Sequence, residues 1–230
     1  MNTLYLLLNV ATISIPFIYS FHSKIQFNKK WPSFWPALAI TALAFILWDM
    51  LYTHWGVWGF NEKYLIGIDI FNLPLEEILF FVCIPYACVF TYFALDKLVF
   101  YKYKDTPTGF FSGSLAIILL LLAVIFYEQI YTSVTFFLLS ITIGIAHYTI
   151  REKMFSFYYS YAILLIPFFL VNGALTGMFT AEPVVWYDDS QNFGFRLITI
   201  PVEDVFYGMM LILINVVLME KFDEYRGNND

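Results

Sequence analysis

Charged residues are scarce in this chain of 230 residues. Asp, Glu, Lys and Arg make up 13% of it, hydrophobic residues make up 60%, and the mean hydropathy is +0.71. Soluble domains carry about 25% charged residues, so this composition excludes a soluble globular protein and indicates a polytopic membrane protein. The net charge of −6 says little about partners, and we expect membrane lipid but no nucleic acid among them.

Residues that hold metals or nucleotide cofactors are also few. The two cysteines, Cys83 and Cys88, lie in one apolar run, so free thiols are expected rather than a disulfide. None of the histidines has a partner at metal-ligand spacing. The chain has no G-x-G-x-x-G fingerprint for a dinucleotide and no Asp-x-x-x-Asp motif for a magnesium diphosphate. We therefore expect no cofactor and no metal.

Long apolar runs are abundant instead. A spanning helix needs about 20 mostly apolar residues. Seven runs qualify, at roughly 3–21, 34–53, 74–95, 110–128, 132–150, 155–176 and 201–219. The first run lacks a basic leading region and a small-residue cleavage site, so we expect it to be retained rather than removed as a signal peptide.

The basic residues predict the orientation in the membrane. With seven spans, ten of the twelve fall on one side: Lys24, Lys29, Lys30, Lys97, Lys102, Lys104, Arg151, Lys153, Lys221 and Arg226. The other side has only Lys63 and Arg196. The positive-inside rule then places the N-terminus outside and the C-terminus in the cytoplasm, in the cell (inner) membrane.

An acidic pair opens two of the apolar runs. LPLEEILFF occupies 73–81 and IPVEDVFYG occupies 200–208. We call the spacing from Pro74 to Pro201 the repeat offset. Gly67 and Gly194 lie at equal distances before these prolines and are therefore separated by the same offset. The spacing indicates an internal repeat, with one helix between the two copies so that both copies have the same orientation.

The predicted fold is therefore an all-α polytopic membrane protein of seven transmembrane helices. Two parallel three-helix repeats are joined by a linking helix, and a pseudo-twofold axis runs along the membrane normal. A single membrane domain, 1–230, comprises repeat one (about 1–98), the linking helix (about 106–130), repeat two (about 131–222) and a polar cytoplasmic tail (223–230).

The acidic pairs have an ordinary interpretation and a functional one. Carboxylates after a helix-starting proline stabilise the helix N-terminus. Acids at membrane depth are also functional candidates, and two matched pairs favour this second interpretation. Burial disfavours the charged form of a carboxyl group, and two acids together can share one proton. Such a pocket would contain a general acid and a general base.

The paired motifs resemble those of the small integral-membrane lycopene cyclases, whose two halves occur as separate subunits or fused in one chain. The most specific segments are WGFNEKYLIGIDIFNLPLEEILFF and WYDDSQNFGFRLITIPVEDVFYG. The resemblance implies a lycopene β-cyclase. This isomerase protonates C2 of each linear ψ-end, closes the ring by attack of C5=C6 on the C1 cation, and removes the C6 proton. The products would be γ-carotene and β-carotene, formed without a nucleotide cofactor.

The site residues follow from the motifs and from the polar residues at membrane depth. The catalytic candidates are Glu76, Glu77, Glu203, Asp204 and Asp49. The candidates for binding the carotenoid are Trp48, Phe80, Asn172 and Tyr207. Trp58 and Trp186 precede the two acidic pairs. A lid over the site from outside is one role for them, but we expect them mainly to anchor the chain at the membrane interface.

Other functions remain open at this point. A related seven-helix carotenoid hydratase would protonate the same alkene and let water capture the cation. A proton-coupled transporter would also use membrane acids and pseudo-symmetry, although here the acids gather in one leaflet. A retinal-binding protein needs a lysine deep within a span, and none of the seven runs has one.

Overall fold

The structure is a computed structural model that describes residues 3–103 and 106–227. Seven α-helices lie in these residues. They are α1 (Leu4–Tyr19), α2 (Trp31–Trp55), α3 (Leu75–Leu95), α4 (Gly109–Ile125), α5 (Ile130–Thr149), α6 (Met154–Leu175) and α7 (Val202–Gly227). Lys104, used above for orientation, and the last three residues of the predicted tail lie outside the described residues.

Five of the helical segments are long and apolar enough to cross a membrane: Phe27–Trp55, Leu75–Phe100, Ile130–Thr149, Arg151–Leu175 and Val202–Gly227. The chain is therefore a multi-pass membrane protein. Helices α1 and α4 have 16 and 17 residues, short of the roughly 20 that a span needs. The apolar runs predicted there also included residues beyond the helix ends, because hydropathy does not distinguish a helical residue from an apolar turn.

The helices pack in matched pairs. Helix α1 lies against α3, and α5 lies against α7 in the same way. Helix α2 packs on α7 of the other repeat, and α6 correspondingly packs on α3. One helix of each repeat therefore packs against the other repeat. Polar groups near the same helix ends meet between the two repeats.

Short β-ribbons cover that end of the bundle. Two hairpins have the same register: β2 (Asp69–Ile70) pairs with β3 (Leu73–Pro74), and β5 (Arg196–Leu197) pairs with β6 (Ile200–Pro201). Each position in the first hairpin recurs in the second at the repeat offset. The left-handed backbone residues recur at the same offset, at Gly67 and Gly194 and again at Phe71 and Ile198. The loop before each acidic pair is thus built twice.

The third ribbon joins the two repeats. β1 (Trp58–Phe60) pairs antiparallel with β4 (Val185–Tyr187). The central pair is Gly59 with Trp186, and these two residues are themselves separated by the repeat offset. The register is therefore the one that a pseudo-twofold axis through this central pair requires. None of these strands was predicted from the sequence, since two or three residues form no detectable alternation of apolar and polar residues.

Candidate active site

All four acids of the paired motifs lie in the first turn of α3 or α7. Pro74 ends a β-ribbon in an extended conformation and starts α3, and Pro201 holds the matching position before α7. All four side chains are buried. Successive residues on a helix point about 100° apart, so the first and second acids of each pair face different surroundings.

The first acids, Glu76 and Glu203, face the preceding loops. Glu76 Oε1 accepts a hydrogen bond from the backbone N–H of Ile66 at 2.7 Å. Glu203 Oε1 accepts the matching bond from Phe193 at 2.6 Å and a second bond from the Thr132 hydroxyl. Ile66 and Phe193 directly precede the left-handed glycines of the two loops. These two carboxyl groups therefore hold the repeated loops in place, and neither lines the central cavity.

The second acids, Glu77 and Asp204, line a cavity between the two repeats. We call the surroundings of Glu77 half-site one: Tyr5, Asp49, Trp58 and Glu77. The Tyr5 hydroxyl donates to Glu77 Oε2 at 2.5 Å. The Trp58 indole N–H donates to Asp49 Oδ1, and Asp49 and Glu77 both line the chain's central cavity.

We call the surroundings of Asp204 half-site two: Tyr131, Asn172, Tyr187 and Asp204. Asp204 Oδ1 accepts from the Tyr131 hydroxyl at 2.6 Å. Asp204 Oδ2 accepts from the Asn172 amide at 2.7 Å and from the Tyr187 hydroxyl at 2.9 Å. Tyr187 lies in the loop ribbon, where burial, followed by the nearby Asp204 carboxylate, raises its pKa well above the usual value. Its hydroxyl therefore remains a hydrogen-bond donor at neutral pH.

The cavity between the half-sites has a volume of about 80 Å³. Aromatic rings dominate its walls, including Phe60, Phe80, Phe81 and Tyr207. No lysine, arginine or histidine of the described residues lines it. A cation forming here would meet aromatic faces and carboxylates in a largely apolar setting, which are surroundings that favour a cation once it has lost its water.

Several predicted residues meet at this cavity. Asp49, Glu77 and Asp204 line it, as do Phe80, Asn172 and Tyr207. Trp48 is not among the lining residues; its ring packs edge-to-face on Tyr207 at 5.3 Å and supports that side chain from behind.

Sequence reasoning missed the tyrosine donors and mistook Trp58. The expectation that Trp58 mainly anchors the chain at the membrane interface is wrong, because its side chain is 6% exposed and binds Asp49, whereas Trp186 is 43% exposed. Tyr5 and Tyr131 lie near the start of the first helix of each repeat, at a spacing one short of the repeat offset. Aligning the first helices of the two repeats would have revealed that match.

The profile of the family described as lycopene cyclase matches residues 2–95 and again 128–222. The two matched regions contain both half-sites and leave out α4. The chain belongs to the lycopene cyclase family. No curated protein and no solved structure gave a match.

Membership confirms the family expected from the acidic motifs, and the two matched regions fit the two repeats. A lycopene cyclase acts on a carotenoid, so this membrane protein is an enzyme of carotenoid cyclisation. Glu77 of repeat one and Asp204 of repeat two both line the cavity between the half-sites, together with aromatic side chains.

Proposed function

We propose that the protein is a lycopene β-cyclase that converts the linear ψ-ends of lycopene to β-rings by acid–base chemistry in the central cavity. The observation that carries this proposal is the meeting of Glu77 and Asp204, one from each repeat, in a cavity with aromatic walls. The reaction needs one proton delivered to C2 and one removed from C6. Two carboxyl groups in one apolar pocket supply both functions without a net change in oxidation state.

We also propose the membrane arrangement. All seven helices cross or enter the bilayer, the N-terminus lies outside, and the cavity opens in the outer leaflet. Support comes from the clustering of both half-sites at the bundle end that contains the N-termini of α1, α3, α5 and α7. The lysine-bearing segments after α1, α3, α5 and α7 lie at the opposite end.

Glu76 and Glu203 have a supporting part in this scheme. Their bonds to Ile66 and Phe193 fix the loops that lead into α3 and α7. They thereby set the position of the neighbouring acids, Glu77 and Asp204, which face the cavity.

The test is expression in a bacterium that makes lycopene, followed by chromatography of its pigments. Wild type should give β-carotene, and Glu77→Gln should accumulate lycopene. Glu76→Gln is the matched control, because glutamine keeps the carbonyl oxygen that accepts from Ile66, and it should still give β-carotene. Lycopene left untouched by wild type that is present in the membrane would overturn the cyclase proposal, and hydroxylated products would favour the hydratase.

A further inference from the structure

The two half-sites differ where the repeat is broken. The second helix of each repeat places a polar side chain beside the second acid, but this is Asp49 beside Glu77 and Asn172 beside Asp204. The loop ribbon shows another difference. Tyr187 donates a hydrogen bond to Asp204, whereas its counterpart at the repeat offset is Phe60, which has no hydroxyl.

Half-site one favours a bound proton. Asp49 and Glu77 are both buried, and both line the central cavity. Asp49 Oδ2 has no N–H or O–H donor among the described residues, and no cation from that part of the chain lines the cavity. Two buried acids that share an apolar cavity without a cation repel each other when both are charged, so one of them keeps a proton. The pair therefore holds a single shared proton.

Half-site two favours a carboxylate. Asp204 accepts three hydrogen bonds, from Tyr131, Asn172 and Tyr187. Hydrogen bonds donated to a carboxylate stabilise its charged form. The neighbouring acid on the same turn, Glu203, directs its bonded oxygen toward the loop and the Thr132 hydroxyl. Asn172 in place of Asp49 and Tyr187 in place of Phe60 therefore both favour the charged form of the acid in half-site two.

We infer that half-site one is the proton donor and half-site two the proton acceptor of the ring closure, an assignment that rests on the proposed cyclase function. The Asp49–Glu77 pair gives its proton to C2 of the end group and becomes doubly charged. The C5=C6 electrons form the C1–C6 bond, which moves the positive charge to C5. Asp204 then takes the proton from C6, and the electrons of that C–H bond restore C5=C6.

The proton balance closes within one cavity. After each closure Asp204 carries the proton that the Asp49–Glu77 pair has lost. The Tyr207 hydroxyl is buried without a hydrogen-bond partner in the described residues, and Tyr207 lines the cavity together with Asp49, Glu77 and Asp204. Its counterpart in repeat one is Phe80, so only one hydroxyl occupies this position. Tyr207 is placed to pass the proton back between the half-sites.

The test measures the two proton transfers separately. Membranes containing wild type, Glu77→Gln or Asp204→Asn are supplied with lycopene in D2O, and the recovered pigments are analysed by mass spectrometry. Wild type should introduce deuterium into the rings, up to one for each ring formed, because the carboxyl protons exchange with D2O between turnovers. Glu77→Gln should form rings at least about 10²-fold more slowly and leave the recovered lycopene free of deuterium. Asp204→Asn should also stop forming β-rings, but its recovered lycopene should contain deuterium, because C2 is still protonated and the cation reverts.

The opposite isotope pattern, or loss of exchange in both variants, overturns the assignment. Wild type that is present in the membrane but forms no ring overturns the cyclase function itself, so the two failures are distinguishable. Asp49→Asn is an independent test, because it removes one acid of the pair and leaves Glu77 unchanged. It should abolish deuterium exchange into lycopene, as Glu77→Gln does. Exchange retained in a correctly inserted Asp49→Asn variant would also overturn the assignment.

Discussion

The two repeats agree in their loops and differ at the cavity. Both hairpins, both left-handed glycines and both bonds from a first acid to a loop N–H recur at one offset. Two of the side chains around the second acids do not recur: repeat one has Asp49 and Phe60 where repeat two has Asn172 and Tyr187. Duplication thus preserved the scaffold that positions an acid, while the chemistry of each acid diverged.

The difference has a chemical rationale. A ring closure needs an acid and a base at the same time, and two identical sites would not determine which of them holds the proton. Surroundings that differ between two carboxyl groups allow one to retain a proton while the other stays ionised. Differences at a few positions of a pseudo-symmetric cavity therefore allow one repeat to provide the acid and the other the base.

The largest effect on stability is expected from removing the carboxyl groups that hold the same loop in both repeats, those of Glu76 and Glu203. Glu203→Ala leaves two donors without an acceptor, the buried Thr132 hydroxyl and the part-buried Phe193 N–H, and should destabilise the protein by up to about 2–6 kcal/mol, at about 1–3 kcal/mol for each donor. Glu76→Ala leaves only the Ile66 N–H unpaired and should cost about 1–3 kcal/mol. Denaturant unfolding in detergent measures both changes.

Glutamine at the same two positions provides the control for this experiment. Each Gln variant keeps an accepting oxygen, so its free energy of unfolding should stay near that of wild type. An Ala variant that unfolds like wild type yet forms no ring would contradict the loop-holding role and give that glutamate a direct part in the chemistry.

The second comparison concerns a position where the repeats differ. Tyr187→Phe makes the ribbon of half-site two resemble that of half-site one and removes one of three donors to Asp204. A hydrogen bond worth about 1–1.5 kcal/mol corresponds to a roughly tenfold slower ring closure. Initial rates in isolated membranes check this value, with Phe60→Tyr as the matched variant in repeat one. An equal loss of rate in Tyr187→Phe and Phe60→Tyr would show that it does not matter which half-site contains the hydroxyl.

Sequence alone was enough for the family, the repeat and the four acids at helix starts, because proline, acid and glycine spacing is local information. It did not distinguish Glu76 from Glu77, since the orientation of an acid depends on how the whole helix packs. The ribbon that joins the two repeats also escaped prediction. It pairs segments that are far apart in sequence, and no local pattern specifies such a pairing. Tyr5 and Tyr131 escaped because they match only when the first helices are aligned separately, one residue away from the repeat offset.

The smallest expected effect comes from an ion pair that connects the repeats at the surface. Lys63 Nζ lies 2.8 Å from Glu182, and Asn61 also donates to this carboxylate. The hydrogen bond from Lys63 lowers the pKa of Glu182, so the contribution is present above the ordinary value of 4.5 and is lost as the pH falls through the lowered pKa. Both partners are exposed, and such pairs contribute little.

Glu182→Gln should therefore lower the unfolding temperature in detergent by no more than roughly 1–2 °C at pH 7. The difference from wild type should disappear as the pH falls through the lowered pKa of Glu182, and should shrink at about 1 M salt because screening weakens exposed pairs. The repeat-related positions of this pair are Trp55 and Ser190, which cannot form an ion pair. A shift that persisted unchanged at low pH would mean that Glu182 acts through its hydrogen bond with Asn61 rather than through its charge.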